Sequence, residues 1–159
     1  IDEDDMNSFS IKDLEKYSGI YIGGGNTPYL LDTLRKTGFL SNIQYAIKQN
    51  IPLYGGSAGA AIFGKSIKTT LRDDENKVGI QDMTGLDILS GYAIYCHYDG
   101  NEEYVRSLMD EYQIEDCIAL RETNGLHVTD TKVEVIGKRN VTVFRKDSVV
   151  DFNPGERLL

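Results

Sequence analysis

The chain has 159 residues, a formal net charge of −8 and 40% hydrophobic residues, the profile of a globular protein long enough to bury a core. Its Lys and Arg form no block and no apolar run nears the roughly 20 residues of a membrane span, which argues against nucleic-acid and membrane partners. The start, IDEDDM, is acidic where a secretory signal is basic, and Cys96 and Cys117 lack a CxxC spacing or a nearby ligand cluster, so a reduced cytoplasmic protein without a metal is expected.

SIKDLEKY (10–17) predicts a short helix, with Ser10 as cap and Ile11, Leu14 and Tyr17 on one face. Ile20 to Ile22 is a short apolar run ended by three glycines, a buried strand followed by a sharp turn. NTPYLLDTLRKTG reads as a helix capped by Asn26 or Thr27, with Pro28 in its first turn and Gly38 as its stop. FLSNIQYAIKQN is a second helix with Leu40, Ile43 and Ile47 inward. IPLYG is the next strand and AGAAIFGKS the next helix, and this alternation of apolar strands with helices implies a parallel sheet covered on both faces. RDDENK (72–77) is expected as a solvated turn. GYAIYCHY (91–98) is a strand, NEEYVRSLMDEYQ an amphipathic helix with Tyr104, Leu108 and Tyr112 toward the core, and CIALRE a further strand. From Gly125 onward apolar and polar residues alternate around turn signals at Thr129–Thr131 and Gly137–Asn140, the pattern of antiparallel hairpins. There is no internal repeat and no linker, so residues 1–159 are expected as one α/β domain.

Gly55-Gly56-Ser57-Ala58-Gly59 matches the G-x-S-x-G nucleophile elbow, between a predicted strand and a predicted helix. Small neighbours let the two elements pass closely, and the helix start offers N–H groups and the positive end of a dipole. The rival reading is a plain turn in a chain with 16 glycines. A nucleophilic serine needs a base. His97 closes an apolar run before Asp99-Gly100, at the strand edge where α/β sheets gather ligands, although it could also be a core histidine. His127 reads as a surface strand residue. An orienting carboxylate could be Glu122, at the end of CIALRE, or Asp99, two residues from His97; Asp116 lies on the wrong edge. Gly23-Gly24-Gly25-Asn26 lacks the dinucleotide-binding spacing, but an N–H of this turn could serve as a second oxyanion donor.

IGGGNTPYLL, YGGSAGA, CHYDGNEE and ALRETNGL, in that order, resemble the peptidase E family of serine peptidases, the alpha-aspartyl dipeptidases, with cyanophycinase a more distant relative. The resemblance runs from about residue 15 over nearly the whole chain. It implies a catalytic triad of Ser57, His97 and Glu122, an oxyanion hole from Gly25 and Ala58, candidate substrate contacts at Asn26 and Asn101, and no metal or cofactor. The implied fold is α/β: three layers, a mostly parallel sheet flanked by helices, similar to class I glutamine amidotransferases, with a C-terminal antiparallel hairpin region. The implied partner is a short peptide, with a homodimer an allowed assembly. A catalytically inactive binding protein that keeps the fold, or a hydrolase of a non-peptide amide or ester, are the rival functions. Two departures stand out. Family members carry a strand–helix–strand unit ahead of the first helix, whereas only about twenty residues precede GGGN, so an N-terminally incomplete domain with a bare sheet edge is expected. The aspartyl dipeptidases also hold the substrate carboxylate with an Arg early in the helix after the His. Here that region carries Asn101, Glu102 and Glu103, which would repel an acidic side chain, so aspartyl preference is not expected.

Overall fold

A computed structural model describes residues 3–14 and 16–159. Two one-turn helices, α1 (Glu3–Met6) and α2 (Ile11–Leu14), precede strand β1 (Ile20–Ile22). Helix α3 (Thr27–Lys36) starts where Asn26 accepts the Tyr29 N–H and Pro28 fills the first turn. It stops at Gly38, whose φ of 74° no helical residue could continue, and α4 (Phe39–Lys48) begins directly after it. The two helices bury Leu31, Leu34, Phe39 and Ile43, each contributing about 1.5–3 kcal/mol relative to exposure. Strand β2 (Leu53–Gly55) runs parallel to β1, pairing Ile20 with Leu53 and Ile22 with Gly55. Among the described residues neither β1 nor β2 pairs with a further strand.

The expected face of the first helix is only partly realised. Leu14 is buried, but Ile11 and Tyr17 are 40% and 54% exposed. Helix α2 is a single turn, so no second turn carries Tyr17 round to the face of Leu14. The expected helix after Ser57 is also cut short. It is α5 (Ala58–Ala61), followed by a 3-10 turn at Ile67–Thr70. The carbonyls of Ile62, Phe63, Gly64 and Lys65, which a longer helix would use internally, instead accept the N–H groups of Leu86, Ile88, Asp87 and Gly85.

Strand β3 (Ala93–Tyr95) and β4 (Cys117–Ala119) flank helix α6 (Glu102–Tyr112) and pair in parallel. The core face of α6 is Val105, Leu108 and Met109; Tyr104 and Tyr112, expected there, are half-buried, and the Tyr104 ring packs 6.1 Å from that of Tyr95. The C-terminal strands are β5 (Asn124–Thr129), β6 (Lys132–Gly137), β7 (Val141–Arg145) and β8 (Ser148–Phe152). β5 and β6 form a separate hairpin, while β7 and β8 extend the other sheet antiparallel, in the order β3-β4-β7-β8.

The described strands therefore pair in a mixed α/β arrangement, with parallel ladders at β1–β2 and β3–β4 and antiparallel ladders elsewhere, rather than in one mostly parallel sheet. The reason lies in β7. Val141, Thr142, Val143 and Phe144 are all buried, so this strand belongs inside a sheet, and the Thr142 hydroxyl is satisfied by Asp151 Oδ1 at 2.6 Å. The 72–77 segment is a turn solvated on one side only: Asp73, Glu75 and Lys77 are exposed, whereas Arg72, Asp74 and Asn76 are half-buried and hydrogen-bonded. Among the described residues no helix is long and apolar enough to cross a membrane, and no group of three His, Cys, Asp or Glu could hold a metal ion.

Candidate active site

Strand β2 and helix α5 meet in a crossing that only glycine permits. A Cβ on Gly55 would lie 2.4 Å from the Gly59 carbonyl oxygen, and one on Gly59 would lie 2.0 Å from that of Ile22. The turn between them puts Ser57 at φ 53°, ψ −116°, a region that costs a non-glycine residue of order 1–3 kcal/mol. The backbone then lifts the side chain away from the sheet. Gly24 lies against it, since a Cβ there would sit 3.3 Å from Ser57 Cβ. Helix α5 has only one turn, so the helix-dipole contribution expected at Ser57 is small.

Two further strand ends complete the group. The Leu120 N–H donates to the Tyr95 carbonyl at 2.8 Å and the Tyr98 N–H to the Leu120 carbonyl at 2.9 Å, which carries the β3–β4 pairing past both strands. His97 leaves this pairing with a positive φ of 61°. Glu122 follows β4 in a turn held by the Arg121 N–H on Asn124 Oδ1 at 2.8 Å and by Asn124 Nδ2 on the Asn140 carbonyl at 2.6 Å. Ser57 Oγ is 2.8 Å from His97 Nε2, and His97 Nδ1 is 2.5 Å from Glu122 Oε1. The carboxylate can only accept, so Nδ1 carries the proton and Nε2 is left to accept from the serine hydroxyl. The group is open to solvent, with the side chains of His97 and Glu122 61% and 75% exposed. Glu122 therefore acts on the ring more through geometry and tautomer than through strong Coulombic attraction.

The structure brings Glu122, and not the other candidates, next to His97. Asp99 turns away and accepts the Asn101 N–H at 2.9 Å. His127 is exposed on β5 opposite Glu134, and Asp116 precedes β4 at the other end of the sheet. Gly25 has a φ of 134°, and among the described residues neither its N–H nor that of Ala58 has a protein acceptor. Asn26 and Asn101 have structural employment. Asn26 caps α3 through Tyr29 N–H and donates Nδ2 to the Glu75 carbonyl at 2.9 Å, while Asn101 caps α6 through Tyr104 N–H at 3.0 Å. Glu102 and Glu103 are exposed in the first turn of α6. A cavity of about 270 Å³ lies apart from Ser57, His97 and Glu122, lined by Met6, Phe9, Leu14, Tyr17, Leu34 and Phe39 among others.

Two nearby side chains went unread in the sequence. Arg121 stacks 4.6 Å from the Tyr98 ring centroid, and its Nε is buried with no hydrogen-bond partner among the described residues. Cys96 directs its thiol to the Ser57 carbonyl at 3.5 Å. Burial, and next the Glu122 carboxylate, push the Cys96 thiol up to about 12, and burial also raises that of Cys117. Both are free thiols. Cys117 is fully buried and Cys96 half-buried, so native protein treated with iodoacetamide should stay unmodified at Cys117 and react only slowly at Cys96 under conditions that alkylate the denatured chain fully; rapid native alkylation of Cys117 in the intact mass would contradict this burial.

The chain is similar to known proteins. The chain is 31% identical over 147 residues to the peptidase E of Shewanella sp. strain W3-18-1, covering 85% of this chain and 59% of that protein. It is 26% identical over 146 residues to the peptidase E of Streptomyces coelicolor, covering 84% and 58%. It thus spans about three fifths of the length of these relatives. The crystal structure of a peptidase from an acI-B1 Actinobacterium shares the fold, with a TM-score of 0.72 at 20% identity over 93% of this chain and 62% of that one. The sequence model of Peptidase family S51 matches residues 2–136, and the chain belongs to that family.

Proposed function

We infer that the protein is a serine peptidase acting on short peptides, with Ser57 as nucleophile, His97 as general base and then general acid, and Glu122 as the group that holds the imidazole. One observation carries this reading: Ser57 Oγ, the two ring nitrogens of His97 and Glu122 Oε1 form a continuous chain of contacts at 2.8 and 2.5 Å. Attack of Oγ on the peptide carbonyl carbon passes the serine proton to Nε2 and the π-electron pair to the carbonyl oxygen. The N–H groups of Gly25 and Ala58 are the donors assigned to that oxyanion. Its collapse breaks the C–N bond, His97 gives the proton to the leaving amine, and an ester remains on Ser57. Water then attacks the ester with its proton going to His97, and a second collapse breaks the ester C–O bond and releases the acid while His97 returns that proton to Ser57 Oγ.

Residues 1–159 are read as one domain with the layering of class I glutamine amidotransferases, a reading supported by the two parallel strand pairs and the helices between them. Aspartyl preference is left out of it, because Glu102 and Glu103 stand in the first turn of the helix after His97. A fluorophosphonate probe should label the intact protein at Ser57, located by peptide mapping, and a dipeptide and tripeptide panel should contain substrates. Hydrolysis of esters but of no peptide would reassign the substrate class. Absence of both labelling and turnover in folded protein would leave an inactive member of the family. Glu122→Gln should lower kcat by about 10²–10⁴-fold through loss of the Nδ1–H tautomer, with KM little changed.

A further inference from the structure

The loop from Arg72 to Glu75 does something that the triad does not require. Three glycines in a row, Gly23 to Gly25, make a turn with little stiffness of its own, and a Cβ on Gly25 would meet nothing within 4 Å. On that side nothing packs against Gly25. The turn is pinned on either side instead. Upstream, the Gly23 carbonyl accepts the Gly59 N–H at 3.1 Å, which ties it to the elbow. Downstream, a single carboxylate oxygen, Asp74 Oδ2, accepts both the N–H of Thr27 at 3.0 Å and its hydroxyl at 2.6 Å. Next to it the Glu75 carbonyl accepts Asn26 Nδ2 at 2.9 Å. Thr27 is fully buried, so its two donors have Asp74 in place of water.

The other end of the loop is tied to the helix that follows His97. The Arg72 guanidinium donates to Glu111 Oε2 at 2.9 and 2.7 Å and to Ser107 Oγ at 3.0 Å, and it lies 4.9 Å from the Tyr104 ring centroid. Behind it, the Thr70 carbonyl accepts the N–H groups of both Asp73 and Asp74, and the Thr69 hydroxyl donates to the Ile94 carbonyl of β3 at 2.6 Å. The loop is thus a strap running from α6 and β3 to the residues directly after Gly25.

We propose that Asp74 is a positioning residue for the oxyanion hole, holding the Gly25 N–H on the Ser57 side by fixing Thr27 while Glu75 holds Asn26. This rests on the peptidase reading above. An oxyanion donor works only within about 2.7–3.1 Å of the developing charge, and a displacement of about 1 Å can cost about 10²-fold in rate. Asp74→Ala should lower kcat about 10- to 100-fold with KM within about twofold. Asp74→Asn keeps an acceptor of the same shape but without charge, and should lower kcat only about 3- to 10-fold. The affinity of a peptide aldehyde, whose serine adduct places an oxygen in the hole, should fall in parallel with kcat/KM, while that of a product dipeptide stays unchanged.

A role confined to stability would lower Tm and the folded fraction without changing kcat per folded site, counted by burst titration, and would leave the aldehyde affinity intact. Parent kcat in the folded variants overturns the proposal, as does a loss in KM alone. If Asp74→Ala does not fold, the isosteric Asp74→Asn decides by the same measurements. A parent protein that neither turns over a peptide nor labels at Ser57 overturns the peptidase reading first and takes this inference with it. An active parent with unaffected Asp74 variants overturns this inference alone.

Discussion

His97→Ala is expected to lower kcat about 10⁴- to 10⁶-fold while leaving Tm nearly unchanged. Among the described residues the imidazole bridges Ser57 and Glu122, at 2.8 and 2.5 Å, so its removal leaves the serine proton without that acceptor and Glu122 without that partner. The side chain is 61% exposed, so truncation opens no core cavity, and the stability change should stay within about 0.5 kcal/mol, as for most surface substitutions. A Ser57→Ala/His97→Ala double variant should be hardly slower than either single one, since groups that act as a unit fail together. Measured kcat and calorimetric Tm on the three variants check this. A single variant retaining a tenth of the parent kcat would remove His97 from the role of base.

Gly59→Ala is expected to have the largest effect on folding. The added methyl carbon would sit 2.0 Å from the Ile22 carbonyl oxygen and 2.9 Å from that of Gly23, both backbone atoms that no rotamer change can move aside. Ile22 cannot retreat cheaply, because it is paired with Gly55 in the β1–β2 ladder and its carbonyl already accepts the Gly56 N–H at 3.0 Å. Relief must come from parting β1 from α5, which breaks the 3.1 Å bond from the Gly59 N–H to the Gly23 carbonyl. Overpacking costs of about 1–3 kcal/mol are usual, and a clash with fixed backbone belongs at or above the top of that range, enough to unfold much of a marginally stable domain. Urea unfolding should show a midpoint shift of that size. Any protein that stays folded should label more slowly at Ser57, because the same contact holds the elbow against the glycine turn. An Ala variant with parent stability would mean that the close approach of α5 to β1 is not present in solution.

Much of the site is legible in the residues themselves, for a local reason. Ser57, His97 and Glu122 each follow an apolar run too short for a helix and precede a glycine, a cap or a turn residue, so each is placed near a strand end by chain chemistry alone. The caps of α3 and α6 can be read in the same way, since Asn26 and Asn101 each act on an N–H three residues away. What cannot be read locally is the further bond of Asn26 Nδ2 to the Glu75 carbonyl, 49 residues away. The order of the strands along the chain, and the presence of antiparallel strands after residue 124, follow from period and turn signals.

What depended on tertiary structure is the pairing of groups far apart in the chain. The length of α5 was settled by the segment 85–88, which takes the carbonyls that a longer helix would need. The inner place of β7 was settled by burial on both faces beside β4, although its sequence alternates like a surface hairpin. That Glu122 and not Asp99 meets the His97 ring came from the β3–β4 ladder, which sets two strand ends 25 residues apart within one hydrogen bond of each other. Asp74 gave no local sign at all, because its partner Thr27 lies 47 residues away and a run of charged residues reads the same whether it is solvated or anchored. Turn chemistry and hydrophobic period act over a few residues and survive in the sequence of this protein as a pattern. Which distant donor meets which acceptor depends on the folded chain as a whole, and there the geometry around Ser57 was decided.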